Sequence, residues 1–250
     1  MLVLDVADVI TSRLGKPTVT ALARRYGPDG KCLTCGELLG TAPVSVRAYR
    51  DDQEIITLVA YHAGCANSAW LDVGSAILPC PATWAAAMAT ASLSLGAPRR
   101  FWRLRGPGTR DQTVPVMLVH PSLDMARVRQ VGAGEAVNAD FEGYCQRGFA
   151  HPSALARTYP LRPVGNAWMR TCGNDVALMA MTGDRAWSAP VHQRPIADLV
   201  THRGGVLIAI TCDCDPVRLS TDARFLGHAL GAGEILLGWA SLSGSLGGKR

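Results

Sequence analysis

Cys32 and Cys35 stand two residues apart in KCLTCG, and after 26 intervening residues His62 and Cys65 repeat that gap in YHAGC. Thiolates and imidazoles in paired, short-spaced sets are ligands for a tetrahedral, borderline-soft ion, and Zn2+ takes four of them. The two-residue gap lets a tight knuckle aim both sulfurs at one point. Gly36, directly after Cys35, suits the positive φ such a knuckle often needs. A complete set of four protein ligands holds structure together, whereas a catalytic zinc keeps a position open. The expected metal site is therefore Cys32, Cys35, His62 and Cys65, with Zn2+ as a structural ion. A thioredoxin-like redox pair at Cys32–Cys35 is disfavoured, because the strand-to-helix setting of that motif is absent.

Distant ligand pairs need elements that bring them together. VSVRAYR (44–50) alternates Val44, Val46 and Ala48 with Ser45, Arg47 and Tyr49, DDQE (51–54) is turn-like, and IITLVAYH (55–62) is strongly β-prone. These stretches predict a β-hairpin that returns His62 toward the knuckle. AGCANSAWLDV then reads as a helix start, which would put His62 and Cys65 on one face. Knuckle, hairpin and helix in that order resemble a treble-clef zinc finger over roughly residues 30–75. The resemblance implies Cys32 and Cys35 as knuckle ligands and His62 and Cys65 at the helix entrance. It names no partner. His-metal nucleases also use this layout, but they need a further histidine on the hairpin, and none stands near His62.

Two other places could do chemistry. TCDCDP (211–216) follows the apolar run VLIAI and sets Cys212, Asp213, Cys214 and Asp215 at a strand end, where α/β folds collect active-site residues. His228 follows on a later helix. His120 also closes a strand, in LVHPS. An enzyme site near His120 or Cys212–Asp215 is the third-ranked expectation. A buried cysteine with turn aspartates, and a satisfied histidine, are the simpler readings. No G-x-S-x-G, Walker A loop or H-E-x-x-H occurs.

The net charge of +5 is carried by 25 basic residues, of which only Lys16, Lys31 and Lys249 are lysines. Arginine makes bidentate phosphate and carboxylate contacts, although abundant Ala, Gly and Arg with little Lys is also what a GC-rich gene encodes. RRFWRLRGPGTR is the most basic segment. Its Arg99, Arg100, Arg103, Arg105 and Arg110 could meet phosphates while Trp102 stacks on a base. The bland counterpart is an edge strand with a solvated basic face.

With 48% hydrophobic residues the chain can bury a substantial core, and its apolar runs are too short for a membrane span. MLVLDVADVI lacks a basic n-region and does not read as a signal peptide, so a cytoplasmic location is expected. Helices are expected over 2–14, 18–27, 79–96, from Ser122 onward, over much of 138–158, and over 218–230. Strands are expected at 114–120, 204–212 and 234–242, with a hairpin around GND (173–175). The fold class is α+β. A zinc-stapled module (1–97) is joined to a larger mixed sheet with helices (98–250). The leading functional expectation is a non-enzymatic, zinc-binding, nucleic-acid-associated protein. The alternative is an interaction or assembly subunit whose zinc is purely structural.

Overall fold

The protein is seen here as a computed structural model, which describes residues 3–26, 28–74, 83–96, 109–155, 163–172, 175–183 and 185–243. In chain order its elements are β1 (Leu4–Asp5), α1 (Asp8–Leu14), α2 (Lys16–Arg25), β2 (Val44–Asp51), β3 (Ile55–His62), β4 (Ala69–Gly74) and β5 (Ala85–Gly96). There follow β6 (Thr109–His120), β7 (Met125–Gly132), β8 (Glu135–Asn138), α3 (Ala139–Gln146), α4 (Pro152–Leu155), β9 (Pro163–Cys172) and β10 (Asp175–Thr182). The last are β11 (Arg185–Pro190), α5 (Arg194–Arg203), β12 (Gly205–Thr211), α6 (Pro216–Thr221), α7 (Ala223–Ala232) and β13 (Ile235–Leu242). Mixed sheets with helices make this an α+β chain. No described helix is long and apolar enough to cross a membrane.

Contacts divide the chain into two units, each discontinuous in sequence. One comprises Met1–Ala85, His120–Gly143 and Cys212–Asp215, and the other Ala86–Val119, Tyr144–Thr211 and Pro216–Arg250. A single boundary near residue 97 does not describe this interleaving. The first unit holds a sheet ordered β1-β2-β3-β7-β8, with β4 also paired to β2. The hairpin expected at 44–62 is present, and its register sets Val46 opposite Ala60 and Ala48 opposite Leu58. Those residues share a core with Ile10 and Leu14 of α1 and Leu22 of α2. The second unit holds a sheet ordered β11-β10-β9-β13-β12-β6-β5. The strands expected at 114–120 and 204–212 lie in it, and β9 and β10, which flank the expected hairpin turn, pair antiparallel with Asp175 opposite Cys172; residues 173–174 lie outside the described residues. β13 pairs with β12 on one side and β9 on the other, so it is an interior strand.

Several expected helices are strands. Residues 85–96 form β5 beside β6, not an Ala-rich helix. The residues carry a period of two, with Ala89 and Ala91 buried and Thr90 and Ser92 exposed. Pairing and burial override alanine's helix preference here. Residues after Ser122 form β7, antiparallel to β3, with Ala126 opposite Leu58. Ser122 caps no helix; its hydroxyl donates to Asp124 at 3.1 Å. Near the start, Leu4–Asp5 pairs in parallel with β2, and the helix begins only at Asp8. The helical stretch at 218–230 is two helices, because Asp222 caps α7 by accepting from the amides of Arg224 and Phe225. The tail at 244–250 lies outside the described residues.

Gly15 separates α1 from α2 with φ 80° and ψ 150°, a region that only glycine occupies without strain. A Cβ there would also sit 2.0 Å from the Gly134 carbonyl oxygen in the β7–β8 turn. Gly15→Ala should lower unfolding free energy by about 2–4 kcal/mol. Gly143→Ala, within α3 and with nothing within 4 Å of its Cβ, should raise it by about 0.5–1 kcal/mol. Urea midpoints of the two variants check both signs.

Candidate metal centre

The knuckle is built by backbone hydrogen bonds. Cys32 N–H donates to the Glu37 carbonyl at 2.9 Å, and Gly36 N–H returns to the Cys32 carbonyl at 2.8 Å. Gly36 takes φ 77°, the positive value its position calls for. Leu39 N–H to the Gly30 carbonyl, at 2.8 Å, closes the stem below. On the facing side β3 ends at His62, and a turn follows in which Cys65 N–H donates to the His62 carbonyl at 2.8 Å. That turn brings Cys65 back beside His62 without a helix.

Among the described residues no helix follows Cys65 up to Gly74, where the treble-clef layout would place one. After Cys65 the chain runs through Ala66–Ser68 into β4, parallel to β2. Side chains fasten this path to the sheet edge. Ser68 Oγ donates to the Val46 carbonyl at 2.7 Å and accepts from Ala7 N–H at 2.8 Å, and Ser45 Oγ donates to the Ala66 carbonyl. Serine bonds of this kind compete with helix formation. The expected ligand set thus stands on a knuckle, a hairpin end and a turn.

All four expected donors converge. One ligand atom from each of Cys32, Cys35, His62 and Cys65 lies within 4.8 Å of every other, and the group could hold a metal ion. Cys35 Sγ is 3.3 Å and Cys65 Sγ 3.9 Å from His62 Nδ1. Ligands around a four-coordinate ion with bonds of about 2.0–2.3 Å stand about 3.5–3.8 Å apart, so the spacing fits. His62 Nε2–H donates to the Leu38 carbonyl at 3.0 Å. A carbonyl only accepts, so the proton belongs on Nε2 and the Nδ1 lone pair is free to face the sulfurs. Such an outer bond fixes the tautomer and orientation of a ligating histidine. Leu38 is a contributor that ligand spacing alone does not reveal.

The sulfurs differ in environment. Burial opposes ionisation of Cys32, but the amides of Cys35, His62 and Thr34 outweigh it and bring the thiol down to about 6. Desolvation and the neighbouring sulfurs of Cys35 and Cys32 push Cys65 up to about 11. Sulfurs this close repel one another when ionised, and a divalent cation among them would remove that repulsion.

The second candidate region does not make an activated site. His120 is 1% exposed and Cys212 fully buried, while Asp213 and Asp215 are exposed. Burial, with Arg25 nearby, drives His120 down to about 3. Burial likewise pushes the Cys212 thiol up to about 12, against the pull of Arg25. A nucleophilic cysteine needs its thiolate, and these shifts oppose it. His228 lies exposed on α7, in the other unit. Around His120 and Cys212 the fold gathers residues that the sequence did not single out. Arg25 pairs with Asp140, and Asn138 Oδ1 caps α3 through the amides of Asp140 and Phe141 while its side chain also bonds Cys212. Arg25 closes an exposed-looking helix, RRYG, so no local pattern marks it as buried. Arg99, Arg100, Trp102, Arg103 and Arg105 lie outside the described residues. Arg110 falls on β6, with its side chain likewise outside them.

No protein-family model, curated protein or solved structure matches this chain. The site therefore rests on its own geometry.

Two outcomes follow from the charges. Cys65 is protonated at neutral pH, so uptake of a divalent ion should release about one or more protons per chain, and affinity should rise with pH. Calorimetry in buffers of differing ionisation heat measures this, and uptake without proton release would contradict the four-ligand set. For His120 the folded value of about 3 lies below the ordinary 6.5. Between these values the unfolded chain binds the proton and the folded chain does not. His120 should thus cost stability as pH falls through that window, by at most about 1.4 kcal/mol per pH unit. His120→Gln should flatten the slope of stability against pH between about pH 6 and 4 relative to the parent chain.

Proposed function

We propose that the chain is a zinc protein of non-enzymatic function that associates with nucleic acid, its Zn2+ held by Cys32, Cys35, His62 and Cys65. The observation that carries the zinc assignment is the donor set, three thiols and one imidazole nitrogen within 4.8 Å. Soft thiolates select zinc over the oxygen-seeking Mg2+ and Ca2+. Four protein ligands leave no position for substrate, so the ion's role here is structural. When bound it ties the knuckle to the far end of the β2–β3 hairpin. Cys32 and Cys35 would hold it from one side, and His62 and Cys65 from the other. His62 is kept in the required tautomer by the Leu38 carbonyl.

Against an enzyme stand the burial of His120 and Cys212 and the upward shift of the Cys212 thiol. For a nucleic-acid partner stand the surplus of positive charge, its almost exclusive use of arginine, and the grouping of Arg99, Arg100, Arg103, Arg105 and Arg110 around Trp102. Arginine forks recognise phosphate and an indole ring stacks on a base.

Binding to a single-stranded or duplex oligonucleotide should fall steeply with salt. About four phosphate contacts correspond to a roughly hundred-fold loss between about 50 and 200 mM. Replacing Arg103 and Arg105 together by Ala should weaken binding and reduce that slope, with circular dichroism and zinc content unchanged. No binding, or binding indifferent to salt, would overturn the nucleic-acid reading and leave a zinc-stabilised assembly subunit in its place.

A further inference from the structure

The metal centre has a protected half and an open half. Cys32 is fully buried and belongs to the hydrophobic core of the first unit. Cys35 and Cys65 are exposed. Both exposed sulfurs face the same atom, His62 Nδ1, at 3.3 and 3.9 Å. An oxidant arriving from solvent therefore meets Cys35 and Cys65 and does not meet Cys32. Susceptibility of cysteine sulfur to oxidation follows exposure and thiolate character, and a second sulfur nearby diverts the first product to a disulfide.

We propose that the centre is a peroxide-sensitive switch in which Cys35 and Cys65 form a disulfide and the ion is expelled. This rests on zinc occupying the site. One exposed thiolate attacks a hydroperoxide, breaking its O–O bond; the sulfur becomes a sulfenic acid, and the departing oxygen takes a proton to leave as water or an alcohol. The second thiolate attacks the sulfenic sulfur, the S–S bond forms, and the released hydroxide takes a proton to give water. The two sulfurs together lose two electrons, and the peroxide gains them. Two ligands are thereby lost, and Cys32 with His62 is too small a set to keep Zn2+.

The choice of pair decides what oxidation does to the fold. Cys35 lies on the knuckle, and Cys65 lies on the turn after β3. A bond between them ties the same two segments that the ion tied. The oxidised chain keeps its knuckle against the hairpin end while the ion is set free. A Cys32–Cys35 bond would instead close a small loop within the knuckle and release it from the hairpin. Burial of Cys32 in the core opposes that outcome.

The test uses the full chain loaded with Zn2+, its metal content measured before any oxidant is added. Absence of bound zinc at that stage refutes the metal reading itself. With zinc present, hydrogen peroxide should release about one ion per chain to a chromogenic chelator, with loss of two thiols. Peptide mapping should find Cys35 joined to Cys65. Reduction with a dithiol in the presence of Zn2+ should restore the loaded form. Cys145→Ser, which removes an exposed thiol outside the group, should leave the extent of release unchanged. Retention of zinc while Cys145 is oxidised, or a linked peptide containing Cys32, would overturn the switch and leave the structural ion standing.

Discussion

Three sulfurs and an imidazole nitrogen crowded within 4.8 Å of one another form the constraint on which the knuckle depends. The segment from Gly30 to Gly40 has a single short stem of backbone bonds and few buried side chains, Cys32 and Leu39 chief among them. Such a segment cannot bury enough apolar surface to hold itself closed. Its three sulfurs repel one another as thiolates, and the four donors gain little from one another as neutral groups. The group could hold a metal ion, and a cation there would turn that repulsion into cross-links between chain segments some thirty residues apart. The hairpin β2–β3 is the rigid part of the arrangement, since its core face packs on α1 and α2 and its register sets the position of His62.

A second polar assembly lies inside the same unit and has the opposite character. Arg25 is almost fully buried and compensated by Asp140, and the imidazole of His120 is held neutral beside it. Among the described residues, neither His120 nitrogen, nor Arg25 Nε, nor the Tyr26 hydroxyl finds a partner with hydrogen-bonding geometry. Buried groups of this kind cost stability and fix which segments can pack together. Here they join the end of α2 to segments beginning at His120 and Cys212. The cluster reads as a device that specifies the interleaved unit, and the neutral thiol of Cys212 fits a packed side chain better than a nucleophile.

Regular local signals were legible from residues alone. The alternation in VSVRAYR, the polar DDQE turn and the β-branched IITLV define the hairpin without help from the rest of the chain. The paired two-residue gaps and Gly36 mark the four candidate ligands, because knuckle geometry is local and ligand chemistry belongs to residue type. The misread segments share a different property. AAAMATASLSL has alanine's helix propensity, and its shape was settled by pairing with β6. MARVRQV could satisfy either period, and β3 selected the strand. AGCANSAWLDV was drawn out along β2 by the hydroxyls of Ser45 and Ser68, whose partners lie more than twenty residues away.

Residue chemistry and short-range spacing were thus enough to name four residues that converge into a group able to hold a metal ion, the hairpin between them and the mixed α+β class. Each depends on interactions within a few residues or on what a side chain can donate. Nonlocal contacts settled the interleaving of the two units, the strand in place of a helix after Cys65, the burial of Arg25 beside Asp140, and the exposure of Cys35 and Cys65 against the burial of Cys32. Those features are set by which distant segments exclude water from one another. No window of sequence contains both partners of such a contact.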